Sequence, residues 1–223
     1  GTSLLRGTPE RPTTAVITDL AASLSRQQAQ GDAIALVTSG AVGLGCDALA
    51  MATRPQEVVA LQAAAAVGQG RLMALYQEAF ASSGLAVAQV LLTRGDLASR
   101  RRYQNACSTL EQLLSWGVVP VVNENDTLAS DELRFGDNDT LAAMVAALVQ
   151  ADALVLLSGV NGLFTADPRH DPSARRVPMV RRVEDVRELA QATRSRLGTG
   201  GMRSKLKATR LASASGTAVF LAD

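Results

Sequence analysis

Ala33-Ile34-Ala35-Leu36-Val37-Thr38-Ser39-Gly40-Ala41 decides how the rest of the chain is read. Five apolar residues in succession, closed by a Thr-Ser-Gly turn, predict a buried strand over 33–37. A helical pattern starts at Ala41. A strand that turns straight into a helix is half of a parallel crossover unit. The arrangement recurs outward from this point. Strands are predicted over 85–92, 118–122, 153–157 and 218–220. Helices are predicted near 12–30, with Pro12 in the first turn and Gly31 as the stop, and over 56–81, 99–116, 140–149 and 183–194, with a last one after Gly201. Strands alternating with helices make an α/β fold: a mainly parallel open sheet covered on both faces. Ligands then belong at the carboxyl ends of the strands.

Composition allows this. The chain has 223 residues, 47% hydrophobic and 19% charged, enough for a substantial core. Aromatics are 3%, so that core must be mostly Ala, Val and Leu. A net charge of +1 speaks against a nucleic-acid footprint, which needs a basic excess. Cys46 and Cys107 make no disulfide framework and fit a reduced, cytoplasmic setting. His170 is the only histidine, which removes a His-based zinc cluster or an ordinary Ser-His-Asp triad. No apolar run approaches the ~20 residues of a membrane span, and no signal peptide is visible. The chain opens at Gly1-Thr2-Ser3 without Met and stops at Asp223, just past an apolar run, so a fragment is expected.

Three polar, glycine-bearing segments follow directly on predicted strands: Thr38-Ser39-Gly40-Ala41, Asn123-Glu124-Asn125-Asp126 and Ser158-Gly159-Val160-Asn161-Gly162. Each alone reads as an ordinary turn; three together point to one crevice. Gly198-Thr199-Gly200-Gly201-Met202 precedes a helix carrying Arg203, Ser204 and Lys205. Glycines let backbone N–H groups approach phosphate oxygens, and a helix start favours anions; a plain linker is the alternative. Of 22 lysines and arginines only Lys205 and Lys207 are lysines. One of them stands a turn into that helix, whereas Lys207 reads as a surface residue. In Gly136-Asp137-Asn138-Asp139-Thr140, Asp137 or Asn138 suffices as an N-cap. A cap does not account for three consecutive carboxylate or amide groups. There is no Gly-x-x-x-x-Gly-Lys-Ser/Thr loop and no His-Arg-Asp set, so a nucleotide here needs a different cradle.

These motifs, in this order, resemble the glutamate 5-kinase family. The resemblance runs through Gly1-Thr2-Ser3, 37–42, Ala65, 67–69 with Arg71-Leu72, 91–94, Asn123-Glu124-Asn125-Asp126, 135–139, Gly162-Leu163-Phe164-Thr165-Ala166-Asp167-Pro168-Arg169, and 198–202 with Lys205. The Asn-Glu-Asn-Asp and Gly-Asp-Asn-Asp pair is its specific part; uridylate kinases carry similar Gly-Gly-Met loops. The resemblance implies a three-layer α/β/α amino-acid-kinase fold over 1–223 and transfer of phosphate from ATP, with Mg²⁺, to the side chain of L-glutamate. It assigns glutamate to Ser39, Gly40, Ala41, Asp126, Asp137 and Asn138. ATP goes to Gly1, Ser158, Gly159, Thr199, Gly200, Gly201, Met202, Arg203, Ser204 and Lys205. Asp139 is cast as organiser of the phosphate-binding lysines, catalytic together with Lys205. Proline is implied as feedback inhibitor, and homo-oligomers are expected.

The sequence departs from the family in three places. The family has a lysine on an opening strand that precedes the position of Gly1, an acidic residue where Gly159 stands, and in many members a C-terminal PUA domain. The other readings are the kinase half of a pyrroline-5-carboxylate synthase, a kinase for N-acetylglutamate or UMP, and a non-catalytic proline or nucleotide sensor.

Overall fold

The computed structural model describes residues 5, 7, 11–128, 135, 137–189 and 201–223. The chain packs as two compact units, one from Thr2 to Phe135 and one of Gly1 with Gly136–Asp223.

In the first unit, helix α1 (Thr13–Ala29) leads to strand β1 (Leu36–Val37), helix α2 (Ala41–Ala48) and the long helix α3 (Val58–Ala81). Strand β2 (Val87–Leu92), the short helix α4 (Arg94–Ala98), helix α5 (Arg100–Ser115) and strand β3 (Val119–Glu124) follow. The three strands form a parallel sheet in the order β1-β3-β2. Strand β3 is buried at five consecutive residues, the signature of a parallel strand covered on both faces. Val119 and Val121 join Ile17, Ala21, Leu72, Tyr76 and Phe80 in the core that α1 and α3 close.

Pro120 explains why β1 is shorter than the predicted 33–37. Val119 N–H donates to Ala86 O on the β2 side at 3.0 Å, so alternation turns the next position toward β1. Proline has no donor to offer there. Pairing with β1 therefore begins only at Leu36↔Val121.

Helices α2 and α3 cross at backbone contact. A Cβ on Gly45 would lie 1.7 Å from Ala64 O, and one on Gly68 would lie 1.8 Å from Ala41 O. Gly70, two residues further along α3 and on another face, has open space around it. Helix α3 has 24 residues with a window of mean hydropathy 1.4, long and apolar enough by those measures to cross a membrane. That helix is longer than any unbroken apolar run in the sequence, which is what the expectation of no membrane span counted. The reason is that Gln62, Gln69 and Arg71 interrupt the apolar sequence but not the helix. Its buried face, from Ala65 to Phe80, belongs to the core of this unit.

The second unit contains helix α6 (Asn138–Leu148), strand β4 (Ala153–Leu157), strands β5 (Leu163–Phe164) and β6 (Arg176–Val177), helix α7 (Met202–Ala214) and strand β7 (Ala218–Ala222). Strands β4 and β7 pair in parallel, β5 and β6 antiparallel. Of the predicted helix over 183–194, the described part is a one-turn 3₁₀ helix at Val183–Val186; the remainder, from 190, lies outside the described residues. Leu156 is buried, whereas the paired Val155 and Phe220 are 54% and 56% exposed on the opposite face.

Candidate active site

Helices α6 and α7 run into the starts of β4 and β7, so both helix N-termini lie at the carboxyl end of that strand pair, where Ser158 leaves β4. Ser158 N–H donates to Ala222 O at 2.6 Å and holds this corner. Asp137 is the N-cap of α6: its Oδ1 accepts from Thr140 N–H at 2.6 Å. The capping alternative thus applies to Asp137, and Asn138 is the first helical residue.

Asp139 comes next and reaches α7. Its Oδ1 accepts from Lys205 Nζ at 2.8 Å and its Oδ2 from Ser204 Oγ at 2.6 Å. The pair is shielded, with side-chain exposures of 9% for Lys205 and 15% for Asp139. A buried charge needs such a partner. Lys207 is exposed, in keeping with its reading as a surface residue. Helix α7 starts at Gly201 with no side-chain cap. Lys205 N–H and Ser204 N–H both return to Gly201 O, at 3.2 and 3.1 Å. The N–H groups ahead of them have no acceptor within the helix, an arrangement that suits an anion.

Met202, assigned to ATP by the resemblance, is 7% exposed. Its side chain is buried with Leu163, Val186 and Leu206 in a small apolar cluster, which leaves only its backbone for a ligand. Arg203 is exposed. Gly159 is also exposed, and a Cβ added to it would meet nothing within 4 Å, so an acidic side chain would fit there. Gly1, Thr199 and Gly200 lie outside the described residues.

In the unit Thr2–Phe135, the 38–41 turn and the Asn-Glu-Asn-Asp segment follow adjacent strands β1 and β3. Thr38 N–H extends the β1–β3 pairing to Val122 O at 2.9 Å. Its hydroxyl meets the Tyr76 hydroxyl at 2.7 Å, both groups buried. Burial pushes the Tyr76 phenol above its usual range, against the Thr38 hydrogen bond. Gly40 caps α2 at φ +106°, a conformation open to glycine. No side chain caps the first N–H groups of α2, which begins at the buried Ala41 next to Ser39.

Most of Asn-Glu-Asn-Asp turns out to be architecture. Asn123, 1% exposed, donates to Gln69 Oε1 at 3.0 Å and accepts from Glu124 N–H at 2.9 Å. Gln69 in turn donates to Gln89 Oε1 at 3.0 Å. Glu124 Oε1 accepts from Phe135 N–H at 2.8 Å. Asn125 accepts from Thr127 Oγ1 at 2.6 Å. Asp126 sits half-buried in the turn beyond them. The amide relay through Gln69 was missed; the signal was the glutamine interrupting an Ala-rich helix. Among the described residues no group of three or more His, Cys, Asp or Glu is arranged to hold a metal.

The amino acid kinase family model matches residues 1–223, and the chain belongs to that family. Among curated proteins it is 57% identical over 225 residues to the glutamate 5-kinase of Synechococcus sp. (strain CC9902), covering 100% of this chain and 62% of that protein. It is 55% identical to the glutamate 5-kinase of Prochlorococcus marinus (strain MIT 9313), with the same coverage. The chain therefore spans 62% of the length of these relatives. Among solved structures, T. acidophilum isopentenyl phosphate kinase matches with a TM-score of 0.62 at 16% identity, covering 100% of this chain and 88% of that one. Synechocystis aspartate kinase matches with a TM-score of 0.65 at 19% identity, covering 100% and 36%. At these identities the two structures speak for the fold.

Proposed function

We propose that the protein to which this chain belongs phosphorylates the side-chain carboxylate of L-glutamate with ATP, giving L-glutamyl 5-phosphate and ADP, the first step of proline synthesis. The observation that carries the reading is the shielded Lys205, held by Asp139 behind an uncapped helix start. The 57% identity to a glutamate 5-kinase supports the choice of substrate.

The chemistry asks little acid–base help. A glutamate side chain has a pKa near ~4.3 and is ionised at neutral pH. One of its oxygens bonds to the γ-phosphorus as the bond to the β,γ-bridging oxygen breaks, and the electron pair leaves with ADP. No proton moves, so the reaction does not call for a catalytic histidine. The barrier lies in bringing an anion onto a polyanion, which cations and N–H groups around the transferring phosphoryl lower. Lys205 and the first N–H groups of α7 supply these, with Gly201 and the preceding glycines allowing close approach. Asp126 is assigned to the substrate ammonium by a charge-assisted bond, and Ser39, Gly40 and Ala41 at the start of α2 to its carboxylate. Asn138 keeps its glutamate assignment from the resemblance. Both Asp139 oxygens are already engaged, so Mg²⁺ fits as a companion of the nucleotide, held by phosphate oxygens and water, where it neutralises charge.

Proline is proposed as an inhibitor competing with glutamate, the assembly as a homo-oligomer, and the location as the cytoplasm, in keeping with two free cysteines. The test is ADP release with glutamate, N-acetylglutamate, aspartate and UMP as acceptors, using this chain and a version that begins with the family's opening strand. Glutamate-dependent release by the longer version is the expected result. Binding of ATP and glutamate by both versions with no release would sink the catalytic reading in favour of a sensor.

A further inference from the structure

We infer that Ser204 is a positioning residue for phosphoryl transfer, acting through Asp139 and not on the nucleotide. The inference rests on the kinase reading above. Ser204 and Lys205 are consecutive in α7, where neighbouring side chains diverge by about 100°. One carboxylate can accept from both only by lying across the gap between them. Asp139 does so, with Oδ2 on the Ser204 hydroxyl at 2.6 Å and Oδ1 on the Lys205 ammonium at 2.8 Å. With one donor on each oxygen, the carboxylate cannot turn about its Cβ–Cγ bond without breaking a contact. Lys205 is thus aimed by a fixed acceptor.

The proton count separates this role from direct nucleotide binding. Ser204 is 8% exposed, and its hydroxyl has two acceptors within reach, Asp139 Oδ2 at 2.6 Å and Gly201 O at 2.8 Å. A hydroxyl carries one proton, and the charged acceptor at the shorter distance takes it. None is left for a phosphate oxygen. Through its backbone N–H, which donates to Gly201 O at 3.1 Å, the same residue ties the end of the glycine segment to the carboxylate that orders Lys205.

The experiment uses the full-length protein and measures steady-state ADP release in wild type, S204A, S204T, D139N and S204A/D139N. S204A is expected to lower kcat about tenfold, the equivalent of one hydrogen bond to a charged group, and to leave KM for ATP unchanged. S204T keeps the hydroxyl and recovers most of the rate. In the D139N background S204A has little further effect, because its path of action is already cut. A raised KM for ATP with kcat intact would make Ser204 a nucleotide ligand and overturn the inference. So would an undiminished loss in the D139N background, or no loss at all. A second readout does not depend on turnover: the ¹⁵N signal of the Lys205 ammonium, identified by its disappearance in K205M. It is expected narrow in wild type and S204T and broadened in S204A; an identical signal in all three overturns the inference. If wild type releases no ADP with glutamate, the kinase reading fails, and this signal still decides the place of Ser204.

Discussion

Lys205 has a structural role beside the chemical one proposed for it. Replacing it by methionine leaves Asp139 shielded and without its counter-charge, at a cost of about 3–5 kcal/mol. The same change is expected to lower kcat by at least ~10²-fold, as loss of a transition-state charge contact does. The two effects separate in K205M/D139N, where the stranded carboxylate is gone. Denaturant unfolding should show most of the stability recovered, while ADP release stays lost. Full activity in K205M would take Lys205 out of the mechanism. Asp126 makes a different prediction, because the turn that carries it is held by Asn123, Glu124 and Asn125 and not by Asp126 alone. Asp126→Ala should therefore raise KM for glutamate far more than KM for ATP. An equal rise in both would contradict its assignment to the ammonium group.

Among the elements, the α2–α3 crossing is the sharpest constraint. Gly68→Ala drives a methyl group into Ala41 O and the Gly45 backbone. Rigid backbone cannot step aside cheaply, so a loss of about 1–3 kcal/mol is expected in thermal or denaturant unfolding. Gly70→Ala in the same helix meets open space and should gain up to about 1 kcal/mol from helix propensity. In the sequence the two glycines look alike, because the difference between them lies in α2. Local pattern was legible where it was self-sufficient. Strand β4 is found at the predicted 153–157, an uninterrupted apolar run between turn signals. Strand β1 is shorter than predicted because Pro120, more than 80 residues on, withholds a donor. The same limit applied to the site. Lys205 stood out through the scarcity of lysine, and Asp139 through the density of acidic and amide groups. That Ser204 spends its proton on Asp139, 65 residues away, depends on how α6 and α7 meet. Likewise, nothing local in Asn-Glu-Asn-Asp says that Asn123 and Glu124 face inward to hold the turn.

For the molecule as a whole, acid is the informative perturbant. The Arg169 guanidinium and backbone N–H hold the Asp167 carboxyl down to about 2 from 3.8. A carboxylate with a depressed pKa stabilises the fold above its unfolded value, and that contribution is lost as pH falls from about 4 toward 2. Arg169 is 56% exposed, so screening keeps the effect below about 1 kcal/mol. Asp167→Asn should remove one component of the stability loss between pH 4 and 2; identical unfolding curves for the two proteins over that range would refute it. The two lysines of the chain differ in another practical respect. Lys205 is 7% exposed and ion-paired, whereas Lys207 is open to solvent two residues along the same helix. Positions two apart point to nearly opposite sides of a helix. An amine-reactive ester would accordingly find one accessible side chain in this chain, apart from the terminal amine. A dye or resin coupled there would ride on α7 with its back to Asp139, reporting on the helix without obstructing what approaches its first turn.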